Sequence, residues 1–256
     1  MRPPMDDAPV FPGDRKGLFI TLEGVEGSGK TTQIPRLAEF LESRGLECVR
    51  TREPGGTAIG ARLRAVLLDP ASKGMDSLCE LLLYEADRIQ HAAEVILPNL
   101  SAGRAVVCDR FYDATTVYQG YARGLPLSRI QDLHGWLFSG LSPDLTLVFD
   151  LPAEVGLGRA RARLSGHGVF CQTRFGEGRF GEGLVGEGWS EGRFETEKIQ
   201  FHEKVRAGYL SLAQAEPSRF VVLDASGSLR EVEVRMTAAV ARFLDARNPL
   251  PKKAGE

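Results

Sequence analysis

Continuous apolar runs alternate along the chain with stretches in which apolar residues recur every three or four positions. Residues 17–23 are apolar and β-prone and predict a buried strand. Over 32–44, Ile34, Leu37, Ala38 and Leu41 share one helical face, and Gly45 is placed as a stop. Residues 46–51 predict a second strand. A short helix follows, with Ile59, Leu63, Val66 and Leu67 inward and Arg64 on another face. Ser77-Leu78-Cys79-Glu80 has the form of a capping box opening a helix to about Pro98. Its expected buried stripe is Leu78, Leu81, Leu82, Ala86, Ile89 and Ala93, leaving Tyr84, Asp87 and Arg88 aside. Further strands are predicted at 104–108, 145–150 and 220–223. Helices are predicted near 114–121, 128–138 (capped by Ser128), after Pro152 and over 229–244. Strands separated by helices imply a three-layer α/β domain: a mostly parallel five-stranded sheet, helices on both faces. Residues 1–16 and 248–256 read as tails flanking one domain over 17–247.

One stretch breaks the periodicity. Arg174-Phe175-Gly176-Glu177-Gly178 is repeated as Arg179-Phe180-Gly181-Glu182-Gly183 and decays through Gly188 and Gly192. Its glycines disfavour a helix, and it reads as an expanded mobile loop within 164–194.

Between the first strand and first helix stands Gly24-Val25-Glu26-Gly27-Ser28-Gly29-Lys30-Thr31, which matches G-x-x-x-x-G-K-[ST]. Glycines let backbone N–H groups turn toward phosphate oxygens, and the helix N-terminus adds positive field. Lys30 is placed to reach β- and γ-phosphates, and Thr31 to offer a hydroxyl to Mg²⁺. A dinucleotide loop does not fit, because G-x-G-x-x-G is missing. At the end of the third strand, Asp109 is the expected carboxylate behind a metal. Neither Asn99 nor Asn248 sits in an N-K-x-D run, which disfavours a guanine-reading GTPase.

The net charge of −2 gives no general case for nucleic acid. Cys48, Cys79, Cys108 and Cys171 form no C-x-x-C, which suits reduced cytoplasmic thiols and no zinc site. No apolar run is long enough to span a membrane, and the first residues lack a signal-peptide core.

Together with Thr51-Arg52-Glu53-Pro54-Gly55-Gly56-Thr57, Leu83-Tyr84-Glu85-Ala86-Asp87-Arg88, Asp109-Arg110-Phe111 and 114–121, the P-loop closely resembles the bacterial thymidylate kinases. The resemblance spans about 18–244 except the repeat. It implies a P-loop NTPase fold, transfer of the ATP γ-phosphoryl group to dTMP, Mg²⁺ and a homodimer. Gly24, Val25, Glu26, Gly27, Ser28, Gly29, Lys30, Thr31 and Thr32 would hold the donor. Thr31 and Asp109 would handle Mg²⁺, and Arg110 would reach between the two phosphates. Arg64 and Arg52 would take the acceptor phosphate, with Glu53 in the same loop. Glu26 would face the sugar. Tyr84 would stack on thymine where the family usually has Phe, Arg88, Gln119 and Thr115 would read its edge, and Tyr118 would crowd the 2′ position.

The family's P-loop arginine is missing from Val25 to Ser28, so the resemblance points to the type with a lid arginine, Arg163, and to Arg193 on the lid's far limb. Two alternatives stay open: a kinase for another nucleoside monophosphate, and an ATP-binding switch without turnover.

Overall fold

The computed structural model describes residues 15–164 and 193–247, apart from the side chains of 163 and 164. The repeat and Cys171 lie outside the described residues. Five strands form one sheet in the order β2-β3-β1-β4-β5: β1 (Leu18–Glu23), β2 (Cys48–Arg52), β3 (Ala105–Asp109), β4 (Leu145–Asp150) and β5 (Phe220–Asp224). Every pair is parallel.

The three central strands of the sheet are buried on both faces, and β1 shows how. Leu18, Ile20 and Leu22 point to one side, against Ile34, Leu37 and Leu41 of α1 (Lys30–Ser43) and Met236 and Val240 of α9 (Leu229–Arg247). Phe19 points to the other side, against Ala92, Ile96 and Leu100. The period of two along a strand makes this partition. The polar residue Thr21 tolerates burial because its hydroxyl meets that of Thr146 at 2.9 Å.

Register brings Arg52, Asp109 and Leu22 side by side at the carboxyl ends of β2, β3 and β1. The chain leaves β1 for β2 and β3 on one side, then crosses to β4 on the other. Such a switch point opens a crevice for ligand.

Several expectations need correction. The helix α3 (Ser77–His91) is capped by Asp76, whose carboxylate accepts from the backbone N–H of Leu78 at 2.9 Å, not by Ser77. Its inner face carries Glu80, Glu85, Asp87, Arg88 and His91, while Leu78, Leu82, Ala86 and Ala93 are exposed. Ion pairing inside the fold outweighs the apolar pattern there. On α2 (Ala58–Leu68), which packs against α3, Leu67 is buried but Ile59 and Val66 are exposed. The helix also passes Pro98. A π-turn over Ala92–Ile96 leads into α4 (Leu97–Ser101), with Pro98 in its first turn where no N–H is needed.

After β3 come α5 (Tyr112–Thr115), a π-helical continuation over Thr116–Ala122, and α6 (Leu127–Phe138). Next come α7 (Ala153–Leu164) and α8 (Ile199–Ala215). The last was not anticipated, although Phe201, Val205 and Tyr209 recur at helical spacing and all three are buried. At the amino end, Arg15 pairs with Asp144 and the Lys16 N–H bonds the Leu100 carbonyl, so residues 15 and 16 pack on the domain.

Candidate active site

The loop between β1 and α1 needs its glycines for stated reasons. Gly24 has φ 138° and Gly27 has φ 70°, and a Cβ on Gly27 would stand 2.1 Å from the Gly156 carbonyl oxygen. The chain therefore turns tightly against α7. Lys30 folds back over this turn and donates to the carbonyls of Gly24 and Val25, each at 2.9 Å. It also donates to Ser28 Oγ at 3.2 Å. Burial, and then the charge of Arg110, lower the Lys30 ammonium to about 8. It is a buried cation held at a loop of backbone amides.

Across the crevice, the Thr31 hydroxyl donates to Asp109 Oδ2 at 2.7 Å. These two hard oxygens, one from α1 and one from the end of β3, are the donor set Mg²⁺ takes.

The next residue, Arg110, has φ 72°, alone among the described non-glycine residues. Such backbone clusters at functional sites. Three contacts hold its guanidinium. Nη1 donates to Tyr209 Oη at 2.9 Å, Nη2 to Glu26 Oε1 at 3.2 Å, and its Cζ lies 4.9 Å from the Tyr118 ring centre.

Glu26 is the hub of this network. Tyr118 donates to Oε1 at 2.5 Å, and Oε2 faces His202 Nδ1 at 3.2 Å. Burial opposes its charge. The His202 hydrogen bond, the Arg110 charge and the Tyr118 hydroxyl outweigh that and bring the carboxyl down to about 2. Glu23, fully buried at the end of β1, goes the other way. Burial lifts it to about 7 despite Arg110, with Tyr209 donating at 2.7 Å and the Phe111 N–H at 2.8 Å.

On the opposite wall, Arg88 is almost fully buried. Its Nε donates to Glu53 Oε2 at 2.7 Å and Nη1 to Glu85 Oε1 at 2.6 Å. Arg64 donates to the Pro54 carbonyl at 2.8 Å. Arg52 sits at the carboxyl end of β2 beside Asp109. Burial and then Glu80 push the Tyr84 phenol up, while Arg110, Arg64 and Arg193 act against them, so this ring lies among those charges. Gln119 donates to Glu80 Oε1 at 2.7 Å. Thr115 Oγ1 is buried without a partner among the described residues, an orphan that invites a ligand.

Glu53, His91 and Cys108 bring three possible metal ligands within 4.8 Å of one another. Each already has a partner. His91 Nδ1 meets Glu53 at 2.8 Å, His91 Nε2 meets Thr51 Oγ1 at 2.6 Å, and Cys108 Sγ donates to the Arg110 carbonyl at 2.9 Å. Burial keeps the Cys108 thiol well above its usual range, which disfavours a thiolate ligand.

The structure thus gathers Gly24 to Thr31, Asp109, Arg110, Glu26 and Tyr118 at one crevice. The side chain of Arg163, in the last turn of α7, lies outside the described residues. Arg193 is buried against α2 and α3, with Nη1 donating to the Leu67 carbonyl at 3.1 Å and Nη2 2.5 Å from Glu80 Oε2. Sequence reasoning missed Tyr209 and His202, which ride on the unanticipated α8. It also read Glu80 only as a cap and Glu23 only as a strand residue.

Residues 22–177 match the thymidylate kinase family model. The chain is 50% identical over 232 residues to the thymidylate kinase of Desulfosudis oleivorans, covering 91% of this chain and 100% of that one. It is 46% identical over 230 residues to the thymidylate kinase of Desulfovibrio desulfuricans, covering 90% and 98%. Among solved structures, the thymidylate kinase of Ehrlichia chaffeensis is similar with a TM-score of 0.63 and 30% identity, over 88% of this chain and 98% of that one.

Proposed function

The chain belongs to the thymidylate kinase family, and on that premise we propose how its residues divide the work of the reaction. The enzyme transfers the γ-phosphoryl group of ATP to dTMP, giving dTDP and ADP. The observation that best supports the division is the 2.7 Å contact of Thr31 with Asp109 at the mouth of the P-loop.

Phosphoryl transfer needs positioning and charge neutralisation more than covalent chemistry. Gly24 to Thr32 cradle the donor phosphates. Lys30 exchanges its carbonyl partners for β- and γ-phosphate oxygens. Thr31 and Asp109 hold Mg²⁺, which supplies charge neutralisation when bound. Arg110, fixed from three sides, faces the gap between donor and acceptor, and Arg163 is the lid arginine on the donor side. The fixed charge of Arg110 favours the transition state because little reorganisation is needed.

Arg64 and Arg52 receive the acceptor phosphate. Tyr84 stacks on thymine, and Thr115 and Gln119 read its edge. Arg88 donates to a base carbonyl while Glu53 and Glu85 hold it. Glu26 and Tyr118 shape the sugar site, where Tyr118 excludes a 2′-hydroxyl.

We further propose a cytoplasmic enzyme acting as a homodimer. The exposed Ile59, Val66, Leu78 and Leu82, on two helices packed together, support the dimer. No helix among the described residues is long and apolar enough to cross a membrane. The division of labour is tested by following γ-labelled ATP. Label should pass to dTDP with the parent protein and fall by at least about a hundredfold with Lys30→Ala or Asp109→Asn. Undiminished transfer by either variant contradicts its assignment.

A further inference from the structure

Glu80 is fully buried on α3, outside the donor crevice, and it is heavily partnered. Arg193 Nη2 stands 2.5 Å from Oε2, and Arg123 Nε and Nη2 reach its two oxygens at 3.4 Å each. Arg123 is itself tied to Glu197 at 2.6 Å. Two guanidiniums therefore hold the carboxylate. Gln119 Nε2 donates to Oε1 at 2.7 Å, the oxygen that Arg123 Nε also reaches.

This pairing has a directional consequence. A carboxylate only accepts hydrogen bonds, whereas a glutamine amide offers a donor at one end and an acceptor at the other. With its NH₂ committed to Glu80, the amide of Gln119 must turn its carbonyl oxygen away from that carboxylate. One turn earlier stands Thr115, whose buried Oγ1 has no partner among the described residues. One turn after Glu80 on α3 stands the aromatic ring of Tyr84. A base lying on that ring would meet an amide acceptor beside an adaptable hydroxyl.

We propose that Glu80 is a positioning residue that fixes the Gln119 amide with its carbonyl oxygen toward the base, so the site accepts pyrimidines carrying an N3–H and rejects cytosine. The proposal rests on the reading that Gln119 faces the base. Thymine and uracil have a donor at N3. Cytosine has a bare acceptor there, which would meet the amide oxygen head-on and leave two buried acceptors unpaired. Discrimination between bases is then set by a residue that does not touch the nucleotide. The same carboxylate holds Arg193 and, through Arg123, Glu197, so the segment that follows residue 192 helps keep the base reader in one orientation.

The test is steady-state kinetics of the full chain with dTMP and dCMP as acceptors. In Glu80→Gln the amide at 119 loses its compulsory orientation. The dTMP-to-dCMP ratio of kcat/KM should fall by about tenfold or more. The change should lie in the acceptor KM, with the ATP KM unmoved. A merely structural role would lower both substrates together and leave the ratio intact, which overturns the proposal. Gln119→Leu separates the two layers. If it keeps the parental ratio, Gln119 does not read the base and both ideas fall. If it loses the ratio while Glu80→Gln keeps it, only the role of Glu80 falls. Because Glu80→Gln leaves buried Arg193 short of a partner, the double variant Glu80→Gln/Arg193→Gln is measured beside it. In the unaltered protein, dCMP and N3-methylated dTMP should each bind at least about tenfold more weakly than dTMP. Equal binding overturns the proposal whatever the variants do.

Discussion

Arg88 shows how burial changes what a side chain is for. From the sequence its removal costs acceptor affinity, about 1.5–3 kcal/mol for a lost charged donor. In the fold it also neutralises Glu53 and Glu85, both almost fully buried. Arg88→Ala should therefore destabilise the protein by about 3–5 kcal/mol, read from chemical denaturation, because two buried carboxylates lose the guanidinium they share. A denaturation midpoint close to the parent's would contradict this. Glu23 gives a pH signature. Its carboxyl stands at about 7 in the fold against 4.5 as the ordinary value. Between those values the folded state binds the extra proton, so this group's contribution to stability falls as pH rises from 4.5 toward 7. Glu23→Gln should gain on the parent at about pH 8 and show little gain at about pH 4. Glu26 has the opposite slope. Its stabilisation is present above 4.5 and is lost as pH falls toward about 2. A Glu23→Gln melting difference that does not change with pH would sink the assignment. At Tyr118, truncation to Ala should narrow the preference for dTMP over its ribose analogue, and unchanged discrimination in kcat/KM would speak against the crowding role.

At the scale of elements, the periodic segments were legible and the special ones were not. The five strands and the P-loop followed from apolar runs and glycine spacing, because β1 and its neighbours are buried on both faces. The inner face of α3 was read only in part: Leu81 is buried as expected, but Leu78 and Leu82 are exposed. Apolar periodicity marks Leu78 and Leu82, but Glu85 and Arg88 satisfy each other inside, and a pairwise ion contact leaves no periodic trace. The helix α8 was hidden by its mixed polar composition, and with it went Tyr209 and His202. In the site, P-loop chemistry was readable residue by residue. The hub at Glu26 was not, since its partners come from three distant stretches: Arg110, Tyr118 and His202. We propose that the Gly-Glu-Gly repeat is a tolerated insertion, because doubling a loop adds only about 0.6 kcal/mol of closure cost. Replacing 175–192 by a short linker should keep kcat within about tenfold, while Arg163→Ala should lower it by about a hundredfold. A crippling deletion beside an active Arg163→Ala would reverse the two assignments.

For the whole molecule, the sheet's switch point brings the P-loop, Asp109 and Arg110 to one crevice, and α2 and α3 carry exposed apolar side chains. If those side chains form the dimer contact, Val66→Glu with Leu82→Glu should convert the protein to a monomer in analytical ultracentrifugation. An unchanged sedimentation coefficient would place the contact on another face. We propose that the crevice is shaped around one acceptor, dTMP. The most direct measurement is ATP-dependent ADP release across dTMP, dUMP, dCMP, dAMP and dGMP, compared as kcat/KM. dTMP should give the highest value, and ADP release should depend on an added acceptor. ATP turnover indifferent to the acceptor, or a higher value for any other monophosphate, would contradict this proposal.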